Sequence, residues 1–491
     1  MLVFLFIFSV DQRYHTYSEV AYELDSIATH YSSIAHLDTI GYSTGDSLPL
    51  FAMKISDNVA EEEDEPAVLY IGCHHAEEIL GVEICMYMIG DLVSRYGSDS
   101  VASYWIDNRE VWFVPLLNAE GQGIVMSGLD TLWRKNKHDN NNNGIFDLNY
   151  DGVDLNRNYD FHWAEGGTLN PPDEYYRGAA PFSENENKAI RDLCYAQNFV
   201  FCNSYHSART GPKEVIYYPW RWGGGYSPDV LFIRDVVDSM AKLIIQDDGV
   251  GHYSPLVGMG LDGTERNWLY GICGVYAYTL EVSTTTLQPG WMVDGICQRN
   301  SVGAYFLLNR VEGSGITGCI YDSLTGEPLS AEVIIEDSYS SDLPPRKSEP
   351  LFGRFLRILM PGVYNVTVKK YGYVSETFQD ITVVDGEPTQ FDIFLKRMEQ
   401  EKEMNNNSNS ISVSPNPTDN VVSIHLANAT DFVAIKIYDI NGRLVAEFAN
   451  PTSDLVWQCT DTEDRNISGG IYVIYGETAE QKLVKKVVVL N

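Results

Sequence analysis

Hydrophobic and polar positions change their period along this chain. Up to about Gly313, helix-spaced apolar stretches alternate with short apolar runs rich in β-branched and aromatic residues; beyond it, short strands of period two take over. Tyr17 to Tyr31 carries Val20, Tyr22, Leu24, Ile27 and Ala28 behind Ser18 as N-cap, which predicts a helix. Leu48 to Ile55 and Ala67 to Ile71 read as a strand pair, with the charged run Glu61 to Glu65 as the solvated connection of a hairpin. A second helix is expected over Ile79 to Val93 and a buried strand over Glu110 to Pro115. A further helix runs to about Tyr195 behind Ser183 as N-cap and Glu186 as its capping-box partner. Strands over Phe199 to Ser204 and Val275 to Val282 complete an alternation that predicts an α/β/α sandwich with a central mixed sheet, spanning 11–313. Two small all-β sandwiches are expected after it, over 314–395 and 411–491, joined by the charged, then Asn- and Ser-rich linker 396–410.

Length and composition agree with several packed cores: 491 residues exceed what one core normally holds, and 44% hydrophobic with 12% aromatic residues exclude a disordered chain. The net charge of −34 would repel nucleic-acid phosphates and anionic membranes. Eight cysteines without a CxxC pair exclude a thiolate zinc site and a disulfide-dense scaffold, leaving room for one or two bridges such as Cys273 with Cys297. Residues 1–10, MLVFLFIFSV, are too short to span a bilayer and read as a truncated signal segment.

Candidate chemistry begins at Gly72-Cys73-His74-His75-Ala76-Glu77-Glu78, where an apolar strand runs into a helix. His74 with Glu77 and His75 with Glu78 both satisfy His-x-x-Glu, so spacing leaves two registers for a pair of metal ligands. The loop from Trp133 to Asn158 is polar and Asn-rich, and loops of that length are functional or disordered. Its runs at Asp139 to Gly144 and Asp147 to Gly152 set oxygen side chains at alternate positions, as calcium loops do, but lack the closing bidentate Glu; turn chemistry is favoured, with Ca2+ in 139–154 as the alternative. His206 ends one strand, and Glu281 sits in the apolar run VYAYTLEV, where a carboxylate needs a partner or a function.

The ordered motifs GCHHAEE, LWRKNK, GVDLNRNYD, YRGAAPFSENE, SYHS and YTLEVSTTTLQP, within about Tyr14 to Val311, resemble the zinc carboxypeptidase family. The resemblance implies zinc held by His75, Glu78 and His206, an open fourth position for water, and Glu281 as the general base. It further implies Asn156 and Arg157 as the anchor of a free C-terminal carboxylate, and Arg134 as the group that stabilises the oxyanion. The expected protein is a secreted metallocarboxypeptidase, a monomer acting on peptide or protein C-termini.

Two departures from the family pattern stand out. Lys137 occupies a position where the family often has Arg, and the family's mobile Tyr falls on Met259 in an ungapped count or Tyr253 in a gapped one. The base of the side-chain pocket falls on Arg266, which would favour acidic C-terminal residues, or on Asp262 in a shifted register, which would favour Lys or Arg. A zinc amidase acting on peptidoglycan peptides and an inactive peptide-binding module are the alternative functions. Gly318 to Asp322 and Pro361 to Tyr373 resemble the carboxypeptidase regulatory-like, transthyretin-like domain. The block Ser412 to Pro417, with Ser468 to Tyr472, resembles the type IX secretion C-terminal sorting domain, which implies that machinery as a partner and a secreted or outer-membrane-surface location in a Bacteroidetes-like bacterium.

Overall fold

Four parallel strands fix where the chemistry of this chain gathers, because their C-terminal ends open side by side. The computed structural model describes residues 10–336, 343–398, 409–418, 420–440, 442–463, 465–478 and 482–490; the expected signal segment, apart from Val10, and linker residues 399–408 lie outside the described residues. The chain divides into two compact units, Met1–Met398 and Glu399–Asn491. Among the described residues no helix is long and apolar enough to cross a membrane.

The first unit is built on a mixed sheet of nine strands: β1 (Ala35–Tyr42), β2 (Pro49–Ile55), β3 (Ala67–Gly72), β4 (Glu110–Val114), β5 (Phe199–His206), β6 (Val215–Trp222), β7 (Gly225–Tyr226), β8 (Ser254–Met259) and β9 (Tyr276–Glu281). Their spatial order is β1-β2-β4-β3-β5-β9-β6-β7, with β8 pairing β6. Strands β4, β3, β5 and β9 run parallel. Strands β3 and β4 are buried at every position, which explains their continuous apolar runs, since a parallel strand is covered on both faces. The helices are α1 (Tyr17–His30), α2 (Leu80–Arg95), α3 (Ser100–Ile106), α4 (Ala119–Met126), α5 (Asn185–Ala196), α6 (Val230–Leu243), α7 (Glu265–Trp268) and α8 (Gly290–Arg310). Helix α2 packs on both β3 and α8, and eleven of its positions are buried. One of these, Glu83, accepts from the Arg13 guanidinium at 2.9 Å and the His15 amide at 2.7 Å, so its charge is met by the N-terminal segment.

Several local expectations are corrected. Strands β2 and β3 do not form a hairpin: β4 lies between them, and the antiparallel partner of β2 is β1. Helix α1 is capped by Thr16, not Ser18, in a capping box with Glu19. Helix α5 has Glu184 at its cap position; Ser183 donates to the Glu184 carboxylate, and Glu186 accepts from Thr44 in the β1–β2 connection. None of the eight cysteines is paired. Cys297 lies near Glu83 and Arg13 while Cys273 lies near Arg346 and Asp160, so the suggested bridge joins two separate environments. In the 133–158 loop, Asp139 accepts from the amides of Asn143 and Gly144, and Asp151 from those of Asn140 and Asp147. Turn chemistry therefore accounts for these acids, and nothing supports calcium there.

The described residues of 315–395 form two facing sheets around Ile320, Val333, Phe355, Val366, Val368 and Leu395. They pack at the N-terminal ends of the parallel strands: Tyr276 donates to the Ile358 carbonyl at 3.1 Å, and Arg354 to Asp64 at 2.7 Å. Glu281 stands at the other end of β9, about 17 Å along the strand. The second unit pairs a three-stranded with a four-stranded antiparallel sheet around Ile424, Ile435, Trp457, Tyr472 and Val487.

Gly72 is the tightest point in the approach to the β3–α2 turn. A Cβ there would lie 2.4 Å from the Pro115 carbonyl oxygen and 2.7 Å from the Gly81 backbone, neither of which can yield without moving β4 or α2. Gly72→Ala is expected to destabilise the first unit by about 2–3 kcal/mol, read from denaturant midpoints at unchanged m-value.

Candidate metal centre and substrate cleft

The turn after β3 reverses sharply. Cys73 adopts φ 59°, the Glu78 amide bonds the His75 carbonyl at 3.1 Å, and the Ala76 amide bonds the Arg134 carbonyl at 3.0 Å. This folding sends the two histidines to different places. His74 is fully buried, with Nε2 3.0 Å from the Tyr159 hydroxyl and Nδ1 3.2 Å from Ser204 Oγ. Burial and its histidine neighbours hold its pKa well below the ordinary value, so it stays neutral. His75 instead turns toward Glu78 and the end of β5.

There His75 Nδ1 lies 3.0 Å from Glu78 Oε1 and 3.1 Å from His206 Nδ1, and His206 Nδ1 lies 2.7 Å from Glu78 Oε2. Of the two His-x-x-Glu registers, it is His75 and Glu78 that converge with His206. The three residues offer one ligand atom each, all within 4.8 Å of one another. Although burial opposes it, the two imidazoles hold the Glu78 carboxyl well below its usual range. Glu78 Oε1 is buried, and among the described residues no N–H or O–H group is aimed at it in hydrogen-bonding geometry, the nearby His75 Nδ1 included. Two nitrogens and a carboxylate facing one point, with an acceptor left over, fit a divalent zinc ion. Behind the ring, His75 Nε2 lies 3.2 Å from Asp154 Oδ1, and Arg134 Nε donates to Asp154 Oδ2 at 2.9 Å, so the 133–158 loop orients the imidazole through a paired carboxylate. Ser204 Oγ lies 3.3 Å from His206 Nε2 and holds the second ring.

The donors open into a cleft of about 350 Å³ lined by Arg134, Asn156, Arg157, Arg266 and Glu281 among others. Glu281 ends β9 one strand away from His206, its Oε2 accepting from the Ala208 amide at 2.8 Å. Burial and the nearby Glu78 charge raise its pKa. Asn156 Oδ1 accepts from the Glu265 amide at 2.9 Å, and Arg157 donates to the Asn156 carbonyl at 2.7 Å. It is Arg134, not Arg157, that pairs with Asp154; among the described residues no carboxylate stands at ion-pairing distance from Arg157. Lys137 reaches Asp46 at 2.5 Å and does not line the cleft. Tyr253 is buried, its hydroxyl accepting from the Ser283 amide at 3.1 Å, whereas Met259 is 72% exposed on the cleft wall. Tyr175 lay outside the sequence reading. Its ring lies 5.0 Å from the Arg134 guanidinium and 5.8 Å from that of Arg157, on a loop with no periodic signal.

Residues 20–298 match the family described as zinc carboxypeptidase, and residues 412–490 match the secretion system C-terminal sorting domain. The chain is similar to carboxypeptidase B of Astacus astacus, 29% identical over 286 residues that cover 55% of this chain and 87% of the relative. It is also similar to a zinc carboxypeptidase of Saccharothrix mutabilis subsp. capreolus, 25% identical over 57% of this chain and 64% of the relative. Among solved structures, thrombin activatable fibrinolysis inhibitor superposes with TM-score 0.53 at 23% identity, over 60% of this chain and 73% of that one. Carboxypeptidase A of Helicoverpa armigera gives TM-score 0.53 at 21% identity, over 61% and 77%. These two share the fold.

Three substitutions test the centre. His75→Ala should abolish stoichiometric zinc binding, whereas His74→Ala should only weaken it, as read by metal content after dialysis. Asp154→Asn should lower zinc affinity about 10–100-fold, measured by chelator competition.

Proposed function

The chain belongs to the zinc carboxypeptidase family, and from that premise we propose that it is a secreted metallocarboxypeptidase removing single residues from peptide C-termini, with His75, Glu78 and His206 as the metal ligands. The observation that carries the reading is the pairing, in one cleft, of the His75–Glu78–His206 donor set with the Arg157 guanidinium, which has no carboxylate at ion-pairing distance among the described residues. Zinc, when bound there, supplies the Lewis acidity that activates water and polarises a carbonyl.

The protein's own groups do the rest. Arg157, backed by the Asn156 carbonyl, offers a planar fork to the terminal carboxylate and so limits cleavage to chain ends. Arg134, locked by Asp154 and 5.0 Å from the Tyr175 ring, directs fixed positive charge at the oxygen that gains charge in the transition state. Glu281 takes a proton from the attacking water and delivers it to the leaving amine, a role its place at the end of β9 beside His206 suits. The Ala208 amide on its Oε2 keeps the carboxylate in one orientation while the other oxygen works.

Export follows from the other unit. Residues 412–490 match a secretion sorting domain, and we read the route as type IX secretion, which delivers the enzyme outside the cell or to its surface.

Incubating zinc-loaded protein with a peptide library and reading products by mass spectrometry tests the activity. Wild type should remove single C-terminal residues, C-terminal amides should block it, and Glu281→Gln should lose about 10²–10⁴-fold in kcat while retaining zinc. Cleavage confined to murein peptides would point to an amidase instead, and binding without cleavage by wild type to an inactive module.

A further inference from the structure

We propose that Asp247 is a positioning residue for Glu281: by fixing the chain that follows β9, it holds the general base in the orientation the reaction needs. The proposal rests on the carboxypeptidase reading above, in which Glu281 moves the proton.

Strand β9 ends at Glu281, and two residues later the backbone enters the left-handed region: Ser283 adopts φ 66° although it is not a glycine. Such a conformation persists only where the surrounding groups over-determine it. Ser283 is fully buried, its amide donates to the Tyr253 hydroxyl at 3.1 Å, and its own hydroxyl donates to Asp247 Oδ2 at 2.5 Å. The same Asp247 oxygen accepts from the Thr284 amide at 3.1 Å, the Thr284 hydroxyl at 3.3 Å and Gln288 Nε2 at 3.3 Å. Its other oxygen accepts from Arg299 Nη2 on α8 at 2.7 Å. This carboxylate, its side chain 9% exposed, is therefore the point at which residues 283–288 are gathered and tied to α8.

The loop reaches Glu281 a second time, through the end of β5. Ser207 Oγ donates to the Thr286 carbonyl at 3.0 Å, and the next residue, Ala208, supplies the amide that grips Glu281 Oε2 at 2.8 Å. Asp247 thus acts on the general base both through the backbone that follows it and through the group that orients its carboxylate. A charged acceptor suits this place, because several donors converge on one oxygen and charge-assisted hydrogen bonds are the stronger ones.

Asp247 is itself anchored to the sheet. Its amide donates to Glu214 Oε1 at 2.5 Å, and the residue after Glu214, Val215, stands opposite Glu281 in the β6–β9 register. Asp247, Ser283, Thr284 and Gln288 do not line the cleft, which separates them from the groups that meet substrate. Their effect on the reaction must pass through Glu281.

The test uses zinc-loaded protein, a peptide that wild type cleaves, and the substitutions Asp247→Ala, Asp247→Asn and Glu281→Gln, singly and with each Asp247 change combined with Glu281→Gln. Asp247→Ala should lower kcat about 100-fold, with KM and zinc content close to those of wild type. Asp247→Asn, which keeps an oxygen for Ser283 and Thr284, should lose less. In the Glu281→Gln background either Asp247 change should cost no more than about twofold, because the group it positions is already gone. A residue that only supports the fold would lower both backgrounds alike, so an equal loss overturns the proposal, as does an unchanged kcat or a rise in KM alone. Should Asp247→Ala fail to bind zinc, the same comparison is read on Asp247→Asn. If wild type cleaves no peptide of any kind, the carboxypeptidase reading fails separately, and crystal structures of wild type and of the Asp247 variant that binds zinc decide the positioning. Glu281 released from the Ala208 amide in the variant, with His75, Glu78 and His206 unmoved, supports it, and Glu281 in the same place in both sinks it.

Discussion

Glu78 is a carboxylate with no exposed surface, and the way its charge is met organises the end of the sheet. An ionised carboxyl cannot be buried without compensation. Here the compensation comes from His75 on its own turn, His206 at the end of β5, the Ser207 amide and, further off at 3.9 Å, Arg134. Each of these is then held by something else. Arg134 and His75 share Asp154, His206 rests against Ser204, and the backbone of the turn is tied to the 133–158 loop through the Ala76 amide. The centre is thus an electrostatic knot between three segments far apart in sequence, and the parallel strands supply the common edge on which they meet.

Much of this was legible in the residues because the chemistry is carried by short motifs at strand ends. The α/β alternation announced a sandwich on a central mixed sheet; its parallel core shows in the continuous apolar runs of β3 and β4, which are buried at every position. The two His-x-x-Glu registers were not separable by spacing. What separates them is the left-handed backbone at Cys73, which turns His74 into the packing between Ser204 and Tyr159. The β2–β3 hairpin failed for a topological reason: sequence neighbours at that charged loop are divided by β4, inserted from later in the chain, and strand order leaves no mark on local periodicity. The helix caps shifted by two residues at α1 and by one at α5, within the range over which Ser, Thr and Glu compete for the same amides. Tyr175 and the choice between Asp262 and Arg266 depend on how irregular loops meet β8, which has no periodic signal at all.

The β-sandwich within the first unit leaves the cleft alone. The sandwich over 315–395 grips the opposite ends of the parallel strands through Ile358, Arg354 and Arg346, the last lying 5.0 Å from the Tyr270 ring. Its contacts lie at the N-terminal ends of the parallel strands, and the cleft lies at their C-terminal ends. The unit after residue 398 has its own core and its own sheets, consistent with a sorting function separable from catalysis.

The central claim is that His75, Glu78 and His206 hold a catalytic zinc ion with an open position. Diffraction from zinc-loaded crystals on either side of the zinc absorption edge tests it most directly. The account predicts a single strong anomalous peak about 2.0–2.2 Å from His75 Nδ1, His206 Nδ1 and a Glu78 oxygen, with no fourth protein ligand. A peak at His74 and Glu77, or a centre closed by four protein ligands, would contradict it.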